Sequence, residues 1–138
     1  MTSDPSTDNV PLSVLLGHPK WHLQRFDEVL KNGETPYFRD AALQRFEFTL
    51  GSVAKCIHKA LGENTETADS LEADLRQALQ AGWLPQETDC GDILNSITLL
   101  EPASRKNHAD EIFRKLSRYH SQFESLHSNL SRLEKTGS

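Results

Sequence analysis

Six apolar residues in the segment 39–61, Leu43, Phe46, Leu50, Val53, Ile57 and Leu61, follow one another in steps of three and four. An α-helix turns about 100° per residue, so these steps gather all six into one stripe that other elements must cover. The same steps recur in Ile112, Leu116, Tyr119, Phe123, Leu126, Leu130 and Leu133, the heptad spacing of a helix about 25 residues long. Neither stripe can be buried by its own helix. The two together already demand a fold of packed helices.

The rest of the chain reads the same way. Pro19 suits a first helical turn, and a helix over 19–32 would bury most of Trp21, Leu23, Phe26, Val29 and Leu30 before Asn32-Gly33 ends it. Gly62-Glu63-Asn64 closes the 39–61 helix, and Thr67 offers an N-cap to a segment carrying Leu71, Leu75, Ala78 and Leu79 that stops at Gly82. The stretch 87–100 places Ile93, Leu94, Ile97 and Leu100 on a helical face. Its β-branched Ile97 and Thr98 leave a strand as the alternative. Pro102 interrupts, and Ser104 or Asn107 can cap the last helix. No segment alternates with period two, as a sheet requires. The expectation is an all-α antiparallel up-and-down four-helix bundle, of four or five helices with a long C-terminal one. Residues 1–17 would form a flexible leader, 18–134 one domain and 135–138 a frayed end. The distal half of the last helix would outrun its neighbours, which predicts a homodimer.

Composition narrows the function classes. The 138 residues are the size of one domain, and a 36% hydrophobic share is thin but sufficient for narrow helical stripes. The longest largely apolar stretches, Val14–Leu16 and Ile97–Leu100, fall far short of the ~20 residues that cross a bilayer. The first residues carry acids and no bases, unlike a secretory signal, so a cytoplasmic protein with no membrane contact is expected. Cys56 and Cys90 then read as reduced thiols rather than a bridged pair. A formal charge of −5 argues against duplex nucleic acid as the default partner.

That charge is unevenly spread. Glu66, Asp69, Glu72, Asp74, Glu87, Asp89 and Asp92 share the region 66–92 with one base, Arg76, and read as a solvated acidic face rather than a carboxylate metal site. The spacing of His18 and His22 suits metal ligands, but no acid or cysteine completes a set. His120 and His127, one heptad apart, flank the apolar seam of the last helix. No glycine-rich phosphate loop and no nucleophile elbow is present, so no cofactor, metal or catalytic residue is assigned. Arg105, Lys106, Arg114, Lys115 and Arg118 make the start of the last segment basic, and Arg105, Lys106 and His108 are the candidate anion patch.

The block Arg39-Asp40-Ala41-Ala42-Leu43-Gln44-Arg45-Phe46-Glu47-Phe48-Thr49-Leu50 resembles the signature of the nucleotidyltransferase substrate-binding protein family, related to the HEPN and HepT-like toxins. Lys55, the stretch LRQALQAGWL from Leu75 to Leu84, and the spacing of Ala109, Ile112, Leu116, Tyr119 and Phe123 extend the resemblance over about residues 20–130. Gly51 departs from it, standing where relatives carry an acid. The resemblance implies a dimeric helical bundle that binds a separate minimal nucleotidyltransferase carrying the catalytic aspartates. It also implies Gln44, Arg45, Glu47, Thr49 and Lys55 as contacts to that partner or to a nucleotide. Toxin members of the wider group cleave RNA through an Arg and a His, often followed by a Tyr. The corresponding positions fall near Ile97 and Pro102, with Ser104 for the Tyr, so the motif is missing. Arg114 and His120 match its spacing only by chance, inside the heptad helix. The alternatives are a toxin-like ribonuclease using Arg105 and His108, with RNA as its ligand, and a degenerate assembly or regulatory module.

Overall fold

The computed structural model describes residues 10–32, 35–62 and 71–137. Seven helical segments occur among them and no strand: α1 (Leu12–Leu15), α2 (Gly17–Leu30), α3 (Pro36–Leu61), α4 (Leu71–Gln80), α5 (Cys90–Leu99), α6 (Pro102–Phe113) and α7 (Leu116–Gly137). The expected all-α class holds. The expected four or five helices are too few, because α1 adds a single turn and the last segment divides. The stops expected at Gly33 and over Glu63-Asn64, the Thr67 cap, Glu66 and Asp69 lie outside the described residues.

The longest helix, α3, starts three residues before the stripe suggests. Thr35 Oγ1 accepts the Phe38 N–H at 3.3 Å and Pro36 occupies the first turn, a capped entry that satisfies a donor the helix itself cannot. At the far end Gly62 adopts φ 85°, a conformation open to glycine and costly for other residues. The end of α4 is a Schellman motif: Trp83 N–H donates to the Ala78 carbonyl at 2.9 Å, Gly82 N–H to that of Leu79 at 3.1 Å, with Gly82 at φ 82°. Asp89 caps α5 by accepting the Asp92 N–H at 3.0 Å. The caps expected at Ser104 or Asn107 are not used. Glu101 precedes the helix and Pro102 opens it, so this proline starts α6 instead of interrupting a helix.

Helix α3 is central, packed against α1, α2, α4, α6 and α7, while α2, α3 and α7 also pack on one another. Leu43, Phe46, Leu50, Val53 and Ile57 are buried together with Ile112, Leu116, Tyr119, Phe123, Leu126 and Leu130. At the crossing of α3 and α7 the Phe46 ring stacks on Tyr119 at 5.1 Å and lies parallel to Phe123 at 6.2 Å, an arrangement that adds to the area each ring buries.

Three expectations change. The last segment is not one helix: it breaks at Arg114–Lys115, where the backbone tightens to a Lys115 N–H to Ile112 bond of 2.9 Å, although the stripe runs on through the break. Residues 10–17 are not a loose leader, since Leu15 and Leu16 join the core. Of the distal stripe of α7 only Leu133, 38% exposed, lies open. His120 Nε2 donates to the Leu23 carbonyl at 3.0 Å and His127 Nε2 to that of Leu16 at 2.9 Å, tying α7 to α1 and α2, and Leu126 and Leu130 are buried within the chain. The chain itself therefore covers most of the stripe from which a homodimer was expected. No helix among the described residues is long and apolar enough to cross a membrane.

Candidate functional site

The candidate residues of α3 divide between two faces. Gln44 and Glu47 line a groove of about 480 Å³ with Tyr37, Asp40 and, from α6, Arg105. Two of the sequence candidates meet here as an ion pair. Arg105 donates through one terminal nitrogen to both Glu47 carboxylate oxygens at 3.0 Å and through Nε to the Leu100 carbonyl at 3.1 Å. A guanidinium so engaged has little left for a phosphate. Next to it Arg39 bridges Asp110 at 2.9 Å and Asp40 at 3.1 Å. Tyr37 stands 75% exposed at the edge of the groove, beyond what the packing of α3 requires.

Other members of the expected sites are placed apart. Thr49 is fully buried and its hydroxyl donates to the Arg45 carbonyl one turn back at 2.7 Å, so it serves the helix and not a partner. Lys55 and Lys106 are exposed on different helices. His108 Nδ1 lies 3.4 Å from Glu111. The expected anion patch of Arg105, Lys106 and His108 is thus divided between two acidic neighbours and solvent.

The other basic residues of the last segment meet the acidic middle. Asp92 accepts from Lys115 Nζ at 2.8 Å, from Arg118 at 3.2 Å and from the Tyr119 hydroxyl at 2.6 Å. Having spent its proton on Asp92, Tyr119 accepts from Ser96 Oγ at 2.8 Å. Burial pushes the Asp92 carboxyl up, but the hydrogen bonds from Lys115 and Tyr119 and the charges of Lys115 and Arg118 outweigh it and hold the group below its ordinary value. Burial and the Asp92 contact push the Tyr119 phenol well up. The Cys56 thiol, buried, is pushed up to about 12, and burial likewise raises Cys90, so neither has the thiolate character of a nucleophile. Among the described residues no group of three His, Cys, Asp or Glu side chains is gathered as a metal ion requires.

The second face of α3 carries Arg45 and Phe48, and α2 brings Trp21, His22 and Arg25 to it. Of the five apolar residues of α2, most of which were expected to be buried, Trp21 is the exposed one. It lies two residues before Leu23 and so about 160° around the helix from the stripe, and it is 51% exposed while Leu23 and Phe26 are buried. Phe48 stands in the same relation to Phe46 and is 47% exposed. Arg25 and Arg45 place their guanidinium carbons over the Trp21 ring at 5.7 and 5.4 Å, and His22 links Trp21 to Phe48 with ring centroids 5.1 and 6.0 Å away. Desolvation, then the charges of Arg45 and His18, lower the His22 pKa, which keeps this ring neutral beside two cations. Sequence reasoning found Arg45 but passed over Trp21 and Phe48; their angular offset from the stripes was the available signal. A further groove of about 750 Å³ between α2 and α7 is lined by polar side chains including Lys20, Gln24, Ser125 and Arg132, none nominated from the sequence. Comparison with protein-family models gives no match, and comparison with curated proteins gives none either.

Proposed function

We propose that this chain is a non-catalytic helical subunit that dimerises and binds a separate minimal nucleotidyltransferase, as the resemblance of the 39–50 block to the substrate-binding family implies. One observation carries the reading: polar side chains of that block stand on two exposed faces of α3, Glu47 held by Arg105 on one and Arg45 laid over Trp21 beside the exposed Phe48 on the other. That is the character of a binding face, where aromatic residues and arginine dominate the contact energy. The reading carries with it an antiparallel four-helix core, for which the mutual packing of α2, α3 and α7 is the support.

The experiment is co-expression of the chain with the nucleotidyltransferase-like product of a neighbouring open reading frame, followed by size-exclusion chromatography with light scattering. Co-elution at a mass of two copies of this chain plus the partner is the expected result. A monomer that passes through unaccompanied at micromolar concentration overturns the reading. RNA cleavage by the purified chain, lost on His108→Ala, would replace it with the ribonuclease alternative.

A further inference from the structure

The exposed face shared by α2 and α3 has a composition that protein surfaces seldom leave to water. Trp21 and Phe48 are about half exposed, are joined through His22 into one continuous aromatic strip, and lie under or beside two guanidinium groups. Arg25 gives one terminal nitrogen to Glu28 at 2.6 Å. Arg45 has no carboxylate within ion-pair distance among the described residues, and burial and the charge of Arg45 lower the His22 pKa. At the base of the strip Arg25 Nε and His22 Nδ1 are covered and make no hydrogen bond among the described residues.

We propose that this face docks an acidic amphipathic helix of a partner protein, with apolar side chains laid on Trp21 and Phe48 and carboxylates meeting Arg45 and Arg25. Charge decides the class of occupant. The chain as a whole is negative, at −5, and this face offers two guanidinium groups, one already paired. A polyanionic nucleic acid is recognised by many cations along its backbone, and this face offers two. An amphipathic helix needs only a few carboxylates beside an apolar seam, and exposed rings such as Trp21 and Phe48 with a guanidinium over the indole match that pattern. Arg and Trp at the centre of a contact are the residues whose loss costs most. The proposal is independent of the partner being a nucleotidyltransferase.

The test is selection of 16-residue helical peptides from a display library against the full chain, then titration of the selected peptide at low and high salt. The expected peptides repeat apolar residues at steps of three and four and flank them with Asp or Glu. Their binding weakens at least tenfold in Arg45→Glu and in Trp21→Ala, falls with added salt, and is unchanged in Lys106→Ala. Circular dichroism of the Arg45→Glu variant, altered at a solvent-facing side chain, confirms that the loss is not one of folding. Recovery of no peptide, recovery of basic peptides, or binding indifferent to both substitutions overturns the proposal. Tighter binding of a single-stranded oligonucleotide, or self-association of the chain that Trp21→Ala abolishes, overturns it too and assigns the face to that occupant. A peptide that binds as expected in a chain that fails to co-elute with a nucleotidyltransferase would separate the two proposals.

Discussion

Where α3 meets α6, and where α5 meets the start of α7, the cations that reach from one element to another meet anions. Arg105 holds Glu47, Arg39 holds Asp110, and Lys115 and Arg118 converge on Asp92. On the side where α3 meets α2, Arg45 lies over an indole instead, and two large aromatic rings stay half in water. The same helix presents both. The difference teaches that positive charge in this chain has two uses. Where a carboxylate comes from another helix, the cation fixes the relative placement of elements; where it meets only a π-face, it leaves a charge that an incoming group can satisfy.

Removing the ring that lies between the two sides should break the comparison altogether. Phe46→Ala deletes the stack on Tyr119 and Phe123 and is expected to cost about 3–5 kcal/mol in urea unfolding, enough to loosen both faces at once. A smaller loss follows from acid. The folded Asp92 carboxyl titrates below its ordinary value of 3.8, so its contribution is complete above that pH and is lost as the pH falls through the folded value. Stability of the wild type against that of Asp92→Asn, measured from pH 5 downward, should show a steeper decline in the wild type. Glu47→Gln, which removes a carboxylate from a pair that is about one-third exposed, should cost no more than about 1 kcal/mol, with the loss shrinking as salt is added. The smallest effect concerns the thiols. Cys56 and Cys90 should stay unmodified by a thiol reagent in the native chain and react at once in denaturant, because both are buried with raised pKa.

The sequence made the core legible because burial on a helix leaves a period. The stripes of α3 and α7 were readable residue by residue, and so were the acidic middle and the basic segment that follows it. What stayed hidden has no period. The break at Arg114–Lys115 carries no proline or glycine and lies within an uninterrupted stripe, so only the three-dimensional pairing of Lys115 with Asp92 marks its place. The pairing of Glu47 with Arg105 joins residues 58 positions apart, which pattern reading cannot connect. Trp21 was masked by its chemistry: a large apolar residue reads as core, and only its angle on the helix says otherwise. Thr49 was misplaced the opposite way, a hydroxyl counted as a contact that the helix backbone had already used.

The ion pairs between helices hold the fold, and the aromatic face of α2 and α3 is held in reserve for a partner. Urea unfolding of Asp92→Ala beside Arg45→Ala, at neutral pH and low salt, tests it most directly. The account predicts a loss of about 2 kcal/mol for Asp92→Ala, which leaves Lys115 and Tyr119 without their acceptor, and no more than about 0.5 kcal/mol for Arg45→Ala. Equal losses, or a larger loss for Arg45→Ala, would contradict it.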